Sequence, residues 1–292
     1  MTHFIKMCWL ALIWVSLFSA YVAHAKEPTY TPAVWQLEYK DNTSWLLGTI
    51  HASDTPLILP DAIDKQFKQS RKLIVEIDIT QVSPAEMQQA FMPHMVSKKP
   101  LAINMQKQIK TALPNFLYDK NTQPWLINMQ MLQFYLASQG YDYQQGADLT
   151  LITKAHQMGK QVISLERFAE QLTPFFSQKD QGLANLKDTL ASFDEEELNM
   201  AYLLSAWQRG DLAAIEKVAQ HTNQLSKESQ LLQQQLLKSR NIAWVDKLIP
   251  ILAHPGNFIA VGLMHMTGKP DENLLNLLSE QGIKIQRYQY GK

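Results

Sequence analysis

The sequence predicts an α+β fold: a small mixed β-sheet core interrupted by a large helical insertion. Three observations predict it. Short apolar and β-branched runs of strand length lie towards both ends of the chain, about six in all. From Ala169 to Pro250 the pattern is helical, with no strand signal. The run 258-FIAV-261 is unbroken by polar residues, as in a strand covered on both faces. No tandem repeat and no Gly-, Pro- or Ser-rich linker divides the chain. A single domain over residues 26–292 is expected, and 46% apolar residues are ample for its core.

Residues 1–25 have the form of a signal peptide. Lys6 supplies the positive start and 7-MCWLALIWVSLFSA-20 the apolar run; Ala23-His24-Ala25 is a small-x-small cleavage site. The apolar run is short for a membrane span of about 20 residues. Cys8 lacks a lipobox, so a lipoprotein is not expected. The expected location is the periplasm or beyond. Removal of this segment takes away Lys6, so the balanced chain becomes formally −1. That balance argues against nucleic acid or an anionic membrane as the main partner once the signal is cleaved. It also takes away the only cysteine, which excludes disulfides, thiolate nucleophiles and zinc–cysteine sites.

The first strands form a hairpin from Ala33 to Ile50, turning at Asp41-Asn42. After His51 comes a loop, 52-ASDTPLILP-60, then a helix from an Asp61 N-cap to Ser70. The strand 73-LIVEIDI-79 follows. Ser83-Pro84 opens a helical stretch that runs to about residue 138, broken near Lys99-Pro100, Leu113-Pro114 and Pro124. A helix ending at Gly159 precedes the strand Gln161–Ser164. The segment 194-DEEELNMAYLLSAWQRG-210 has an acidic first turn, an apolar face and a glycine stop. Residues 224–253 have the period of one long amphipathic helix. The chain closes with the strand ending at Val261, a helix from Pro270 to about Glu280, and the strand 283-IKIQRYQY-290.

The chemistry-bearing residues gather at strand ends. A strand-Gly-x-x-His unit occurs twice: Gly48-Thr49-Ile50-His51 after Trp45-Leu46-Leu47, and Gly262-Leu263-Met264-His265 after 258-FIAV-261. A glycine at a strand end permits a tight turn that swings the imidazole over the sheet edge. One such histidine is as readily a core imidazole; two in the same context point to convergence. Glu76 interrupts an apolar strand. It reads either as an edge acid facing water or as the partner of His51 and His265 around a divalent cation. Asp78, two residues on, would share its face as a second ligand or orienting group. Glu166 is a helix first-turn acid or a site carboxylate. Arg240-Asn241 is a solvent-facing pair, or a guanidinium that pairs with a site carboxylate or holds an oxyanion. The other mature histidines, His94, His156, His221 and His254, lack the strand-end context and read as surface residues.

The segments 46-LLGTIHAS-53, 73-LIVEIDI-79, 139–172, 239-SRNIAWVDKL-248 and 259-IAVGLMHMTG-268 occur in the order of a known family. The chain resembles the TraB/PrgY/GumN family, related to the Tiki metalloproteases and more distantly to the erythromycin-esterase and ChaN-like fold. The resemblance runs from about Pro32 to Arg287. It implies a compact α+β fold and a metal-dependent hydrolytic site at the strand ends, with His51, Glu76 and His265 on the proposed site. Asp148, Glu166, Arg240 and Asn241 fall on other recurring family positions. The loop after His51 departs from the family's usual Pro- or Gly-rich pattern, which bears on substrate contacts.

The expected function is a metal-dependent hydrolase of the cell envelope acting on a peptide or small-molecule substrate. His51, His265 and Glu76 would hold manganese, cobalt or zinc, Glu166 or Asp78 would act as general base, and Arg240 would stabilise the oxyanion. The alternative is a binding protein without turnover, sequestering a peptide or a haem-like ligand with the histidines as axial ligands. No residue specifies an oligomeric state.

Overall fold

The computed structural model describes residues 30–193 and 200–291. The expected signal segment 1–25 and the acidic stretch 194–199, expected to open a helix, lie outside the described residues. Strands β1 (Val34–Tyr39) and β2 (Asn42–Thr49) form the expected hairpin, with its turn at Lys40-Asp41, one residue before the expected Asp41-Asn42, because Asn42 already pairs with Tyr39. Lys40 and Asp41 both take positive φ (48° and 61°), and a turn of that hand matches the twist of the two strands.

The other strands are β3 (Lys72–Val75), β4 (Gln161–Ser164), β5 (Asn257–Gly262) and β6 (Lys284–Arg287). They make one mixed six-stranded sheet in the order β4-β3-β5-β2-β1-β6. β4, β3, β5 and β2 run parallel, whereas β1 is antiparallel to both β2 and β6. In an open parallel sheet, ligands bind beyond the carboxyl ends of the strands. Here the ends of β2, β3 and β5 carry the two Gly-x-x-His turns and Glu76.

β5 is buried along its whole length, as its unbroken apolar sequence predicts. Alternate residues face two different cores. Ile74, Ile259 and Val261 pack against Trp207, Trp244, Leu248 and Leu274. These come from helices α8 (Met200–Gln208), α11 (Arg240–Leu252) and α12 (Leu274–Glu280). Leu73, Val75, Phe258 and Ala260 pack against α1 (Asp61–Gln69) and α5 (Ala147–Gln157). The insertion has a third core, formed by α3 (Ile103–Ala112), α4 (Pro124–Ser138) and α7 (Leu183–Ala191). Ser83 caps α2 (Pro84–Phe91), as its Ser-Pro start predicts.

Several boundaries differ from the sequence reading. Pro60, not Asp61, is the N-cap of α1; Asp61 and Asp64 lie in its first turn. α12 begins at Leu274 because Asn273 accepts the Asn276 N–H. β3 ends at Val75, where its pairing with β4 and β5 stops, so Glu76 and Asp78 lie past the strand. The stretch 224–253 is helical but not uniform. A π turn at Gln235–Ser239 joins α10 (Lys227–Gln234) to α11.

Asp64 joins the two helices on one face of the sheet, bonding Lys154 of α5 and Lys68 of its own helix (2.6 Å). Burial opposes ionisation of its carboxyl, and the two lysines overcome it, so its pKa lies below the usual aspartate range. A depressed acid stabilises above its unfolded pKa and loses that contribution as pH falls through the folded value. Asp64→Asn is therefore expected to cost about 1 kcal/mol near neutral pH. The deficit should shrink below the ordinary aspartate range in urea titrations; a deficit that is independent of pH would contradict the assignment.

Candidate functional site

The two Gly-x-x-His turns lie side by side because β2 and β5 are parallel, with Thr49 paired to Gly262. A β-carbon on Gly48 would overlap the end of the Leu263 side chain and press on its backbone, so the glycine lets the second turn lie close against the first. Trp207 donates to the Gly48 carbonyl (2.7 Å) and secures this contact from the helical side.

Asp148, in the first turn of α5, accepts from Thr49 Oγ1 (2.5 Å) and from His51 Nδ1 (2.9 Å). The proton on Nδ1 leaves Nε2 to face Gly262. The Asp148 carboxylate pushes the His51 pKa up to about 9. The side chain is 58% open to solvent, which screens that attraction.

His265 is only 3% exposed. Its Nδ1 faces Asn241 Oδ1 at 2.6 Å. The Asn241 amide is oriented by two donations from Nδ2, to the carbonyls of His265 (3.0 Å) and Glu272 (2.8 Å). The amide oxygen must then accept, so the His265 proton sits on Nδ1 and Nε2 is bare. Burial pushes the His265 pKa down to about 3, keeping the ring neutral.

Glu76 is buried between the two imidazoles. Its Oε1 accepts the Gly262 N–H (2.8 Å) and stands 3.6 Å from His265 Nε2. Its Oε2 accepts from Arg240 Nη2 at 2.5 Å. Burial alone would raise this carboxyl; His265, Arg240, His51 and the Gly262 N–H hold it down at about 2. A β-carbon on Gly262 would lie 3.1 Å from Glu76 Oε1 and 3.2 Å from His51 Nε2. The absence of a side chain on Gly262 therefore leaves these two groups a small space that a methyl would crowd.

Arg240 is clamped. It donates to both oxygens of Glu166, to Glu76 and to the Leu236 carbonyl, and its remaining donor faces His265 Nε2 at 3.5 Å. The guanidinium lies over the Trp244 ring (4.7 Å), and the His265 ring packs against the same indole at a tilt (4.3 Å). The π turn just before Arg240 adds one residue to the helical turn, and such turns often occur at functional sites. Glu166 is pushed upward by burial, against the opposing effect of Arg240.

Six of the seven residues singled out from the sequence thus form one cluster: His51, Glu76, Glu166, Arg240, Asn241 and His265. Asp78 does not join it. Its backbone N–H binds Ser164 Oγ, and its carboxylate caps a short turn through Thr80 and meets His156 Nε2 at 2.6 Å. The expected shared face with Glu76 required the strand to continue, and it stops at Val75. His156 lies at the surface, as read from the sequence, and it is also the partner of the Asp78 carboxylate. The oxyanion role of Arg240 is likewise not favoured, because its donors are already engaged. The solvent-facing reading of Arg240-Asn241 fails, since Asn241 is buried.

The residue reading missed Thr49, Gly146 and Trp244. Thr49 lies inside the first Gly-x-x-His unit. Gly146 supplies a close approach: the Ala147 N–H donates to Ile50 O (2.9 Å), and a β-carbon on Gly146 would overlap the His51 carbonyl. Both clashing groups are backbone, so neither yields easily. Gly146→Ala is expected to cost about 1–3 kcal/mol in urea unfolding. An unchanged midpoint would show that the segment shifts freely.

The donor chemistry fits a divalent cation. His51 Nε2 and Glu76 Oε1 face the space beside Gly262, and His265 Nε2 stands 3.6 Å from the same carboxylate oxygen, with an acid and an amide orienting the imidazoles from behind. Two ligands about 2.1 Å from one tetrahedral ion lie about 3.4 Å apart, near the Glu76–His265 separation. Among the described residues no three such side chains already stand at cation-holding spacing. The exposed His51 is the member free to move.

The family model described as TraB/PrgY/gumN family matches residues 33–287. A protein of Shigella flexneri described as "Uncharacterized protein YbaP" is 29% identical over 235 residues, covering 77% of this chain and 84% of that protein. The protein of the same description from Escherichia coli (strain K12) is 29% identical over 233 residues, with the same coverage. No solved structure gives a significant match.

Proposed function

The chain belongs to the TraB/PrgY/gumN family, and on that premise we propose that it is a metal-assisted hydrolase of the cell envelope. The observation that carries the proposal is the matched orientation of two imidazoles, each bonded at Nδ1 so that Nε2 is turned towards the site that Glu76 shares. His51 Nε2, His265 Nε2 and Glu76 Oε1 would hold the ion. Sulfur-free donors of this kind suit manganese, cobalt or zinc. When bound, such an ion supplies Lewis acidity, polarising a scissile carbonyl and drawing the pKa of a water towards neutrality.

The chain's own residues do the rest. Asp148 and Asn241 set the imidazole tautomers. Arg240 occupies Glu76 Oε2 and leaves Oε1 turned towards Gly262. Glu166 balances the guanidinium and, with Asp78 engaged elsewhere, would accept a proton by releasing one of its two bonds to Arg240; its burial-raised pKa suits that task. A peptide as substrate, and export by the N-terminal segment, rest on the resemblance and on residues 1–25. The haem alternative is less well supported, because His265 Nε2 faces Glu76 and Arg240 at close range and offers no open face to a porphyrin.

Elemental analysis of the purified protein tests the reading, beside His51→Ala/His265→Ala. About one equivalent of manganese, cobalt or zinc in the wild type, lost in the double variant, is the expected result. No metal in either protein after reconstitution would overturn it. The His51–Asp148 pair would then be tested as a proton-transfer dyad, a form its geometry also has.

A further inference from the structure

The segment 92–123, between α2 and α4, forms a lobe of the helical insertion with an uneven surface. Its five lysines, Lys98, Lys99, Lys107, Lys110 and Lys120, are all exposed, and Asp119 is its only acid. The chain as a whole carries equal numbers of basic and acidic residues. Five large apolar side chains are exposed on the same lobe: Met92, Met95, Val96, Ile103 and Leu117, with Leu117 88% and Val96 70% open.

The lobe has its own core, so this exposure is not a failure of packing. Leu101, Met105, Ile109 and Leu113 recur at four-residue intervals and are buried with Phe116, Ile127 and Met131. At 100° per residue, Ile103, Lys107 and Lys110 fall together on the opposite side of α3. Backbone bonds gather the flanking loops into one tip. Ser97 N–H donates to Asn121 O, Leu101 N–H to Lys120 O, and Gln123 N–H to Met95 O.

We propose that this lobe docks on an anionic lipid surface. The apolar side chains enter the headgroup boundary, and the lysines lie against lipid phosphates. Interleaved lysine and aliphatic side chains are the composition of interfacial membrane contacts. Protein interfaces are instead enriched in Tyr, Trp and Arg and depleted of Lys. No helix among the described residues is long and apolar enough to cross a membrane; the contact proposed for the lobe is a peripheral one. The whole-chain charge balance argues against an anionic membrane partner; the local distribution of that charge is what favours one. The inference does not depend on the metal site.

Sedimentation with vesicles tests it. Vesicles of phosphatidylcholine alone are compared with vesicles that also contain phosphatidylglycerol. The protein should partition onto the anionic vesicles, less so as salt rises, and about tenfold or more weakly in the variant Lys98→Glu/Lys99→Glu/Lys107→Glu/Lys120→Glu. Val96→Ser/Leu117→Ser should weaken partitioning several-fold without changing its salt dependence. All variants keep the same N-terminus, so the comparison isolates the lobe, and melting curves check that each is folded. If the charge variant does not fold, the apolar pair and the salt dependence carry the test. Equal partitioning of variants and wild type, or none onto either vesicle, overturns the proposal. So does a concentration-dependent dimer that the same substitutions abolish, which would make the lobe an interface between two copies.

Discussion

Replacing Arg240 by leucine is expected to cost about 3–5 kcal/mol, read as a lower urea midpoint near neutral pH. The guanidinium is buried between Glu76 and Glu166, whose side chains are equally enclosed. A buried ion pair gains little over an apolar replacement when all its partners go together. Removing one member leaves charges that neither water nor protein compensates. Here one cation serves two carboxylates, so its loss strands both. Glu166→Gln in the Arg240→Leu background should return part of the loss, because only Glu76 then remains uncompensated. The coupling in this double-mutant cycle separates the ion-pair contribution from the loss of packing on Trp244. Additive effects would mean that the clamp does not act as a unit. Saturating divalent cation should also reduce the cost of Arg240→Leu, since Glu76 would regain a positive partner.

Gly262→Ala is expected to leave the fold intact and weaken divalent-cation uptake by about 10–100-fold. Gly262 has φ −50°, which alanine adopts without strain. The added methyl would stand at tight contact with Glu76 Oε1 and His51 Nε2, in the space between them. Exposed His51 can give way by a few tenths of an ångström, and the methyl then blocks the approach of His51 towards Glu76 that a shared ion requires. Cation titration followed by calorimetry, together with a thermal melt, checks both halves. A folded variant with wild-type affinity would remove Gly262 and its space from the site. A variant that does not fold would contradict the view that the space is there for a ligand.

Much of this site was legible in the sequence. The two Gly-x-x-His units are local: a strand, a glycine and an imidazole three residues later determine where each histidine emerges. The unbroken run 258-FIAV-261 marks β5 as a strand covered on both faces. A charged residue beside an apolar strand, Glu76, announces a partner because burying it alone is costly. The same logic failed for Asp78, since alternation holds only while a strand continues and β3 ends at Val75. The contact of Asp78 with His156 had no local signal, its two members being 78 positions apart. Thr49 and Trp244 had no signal of their own beyond lying next to residues that did.

By itself the sequence determined the elements and the residue types at strand ends, because turns, caps and periodicity are set by neighbours along the chain. Only the tertiary structure decided which of those residues meet. Parallel pairing of β2 with β5 brings His51 beside a turn more than 200 positions later. The π turn before Arg240 and the packing of α11 place its guanidinium on carboxylates 164 and 74 positions away. Asp148 and Asn241 each hold Nδ1 of one imidazole and so settle which way its Nε2 is turned. Those relations depend on distance and orientation across the sheet, and a buried charge or a ring tautomer takes its state from the groups folded against it.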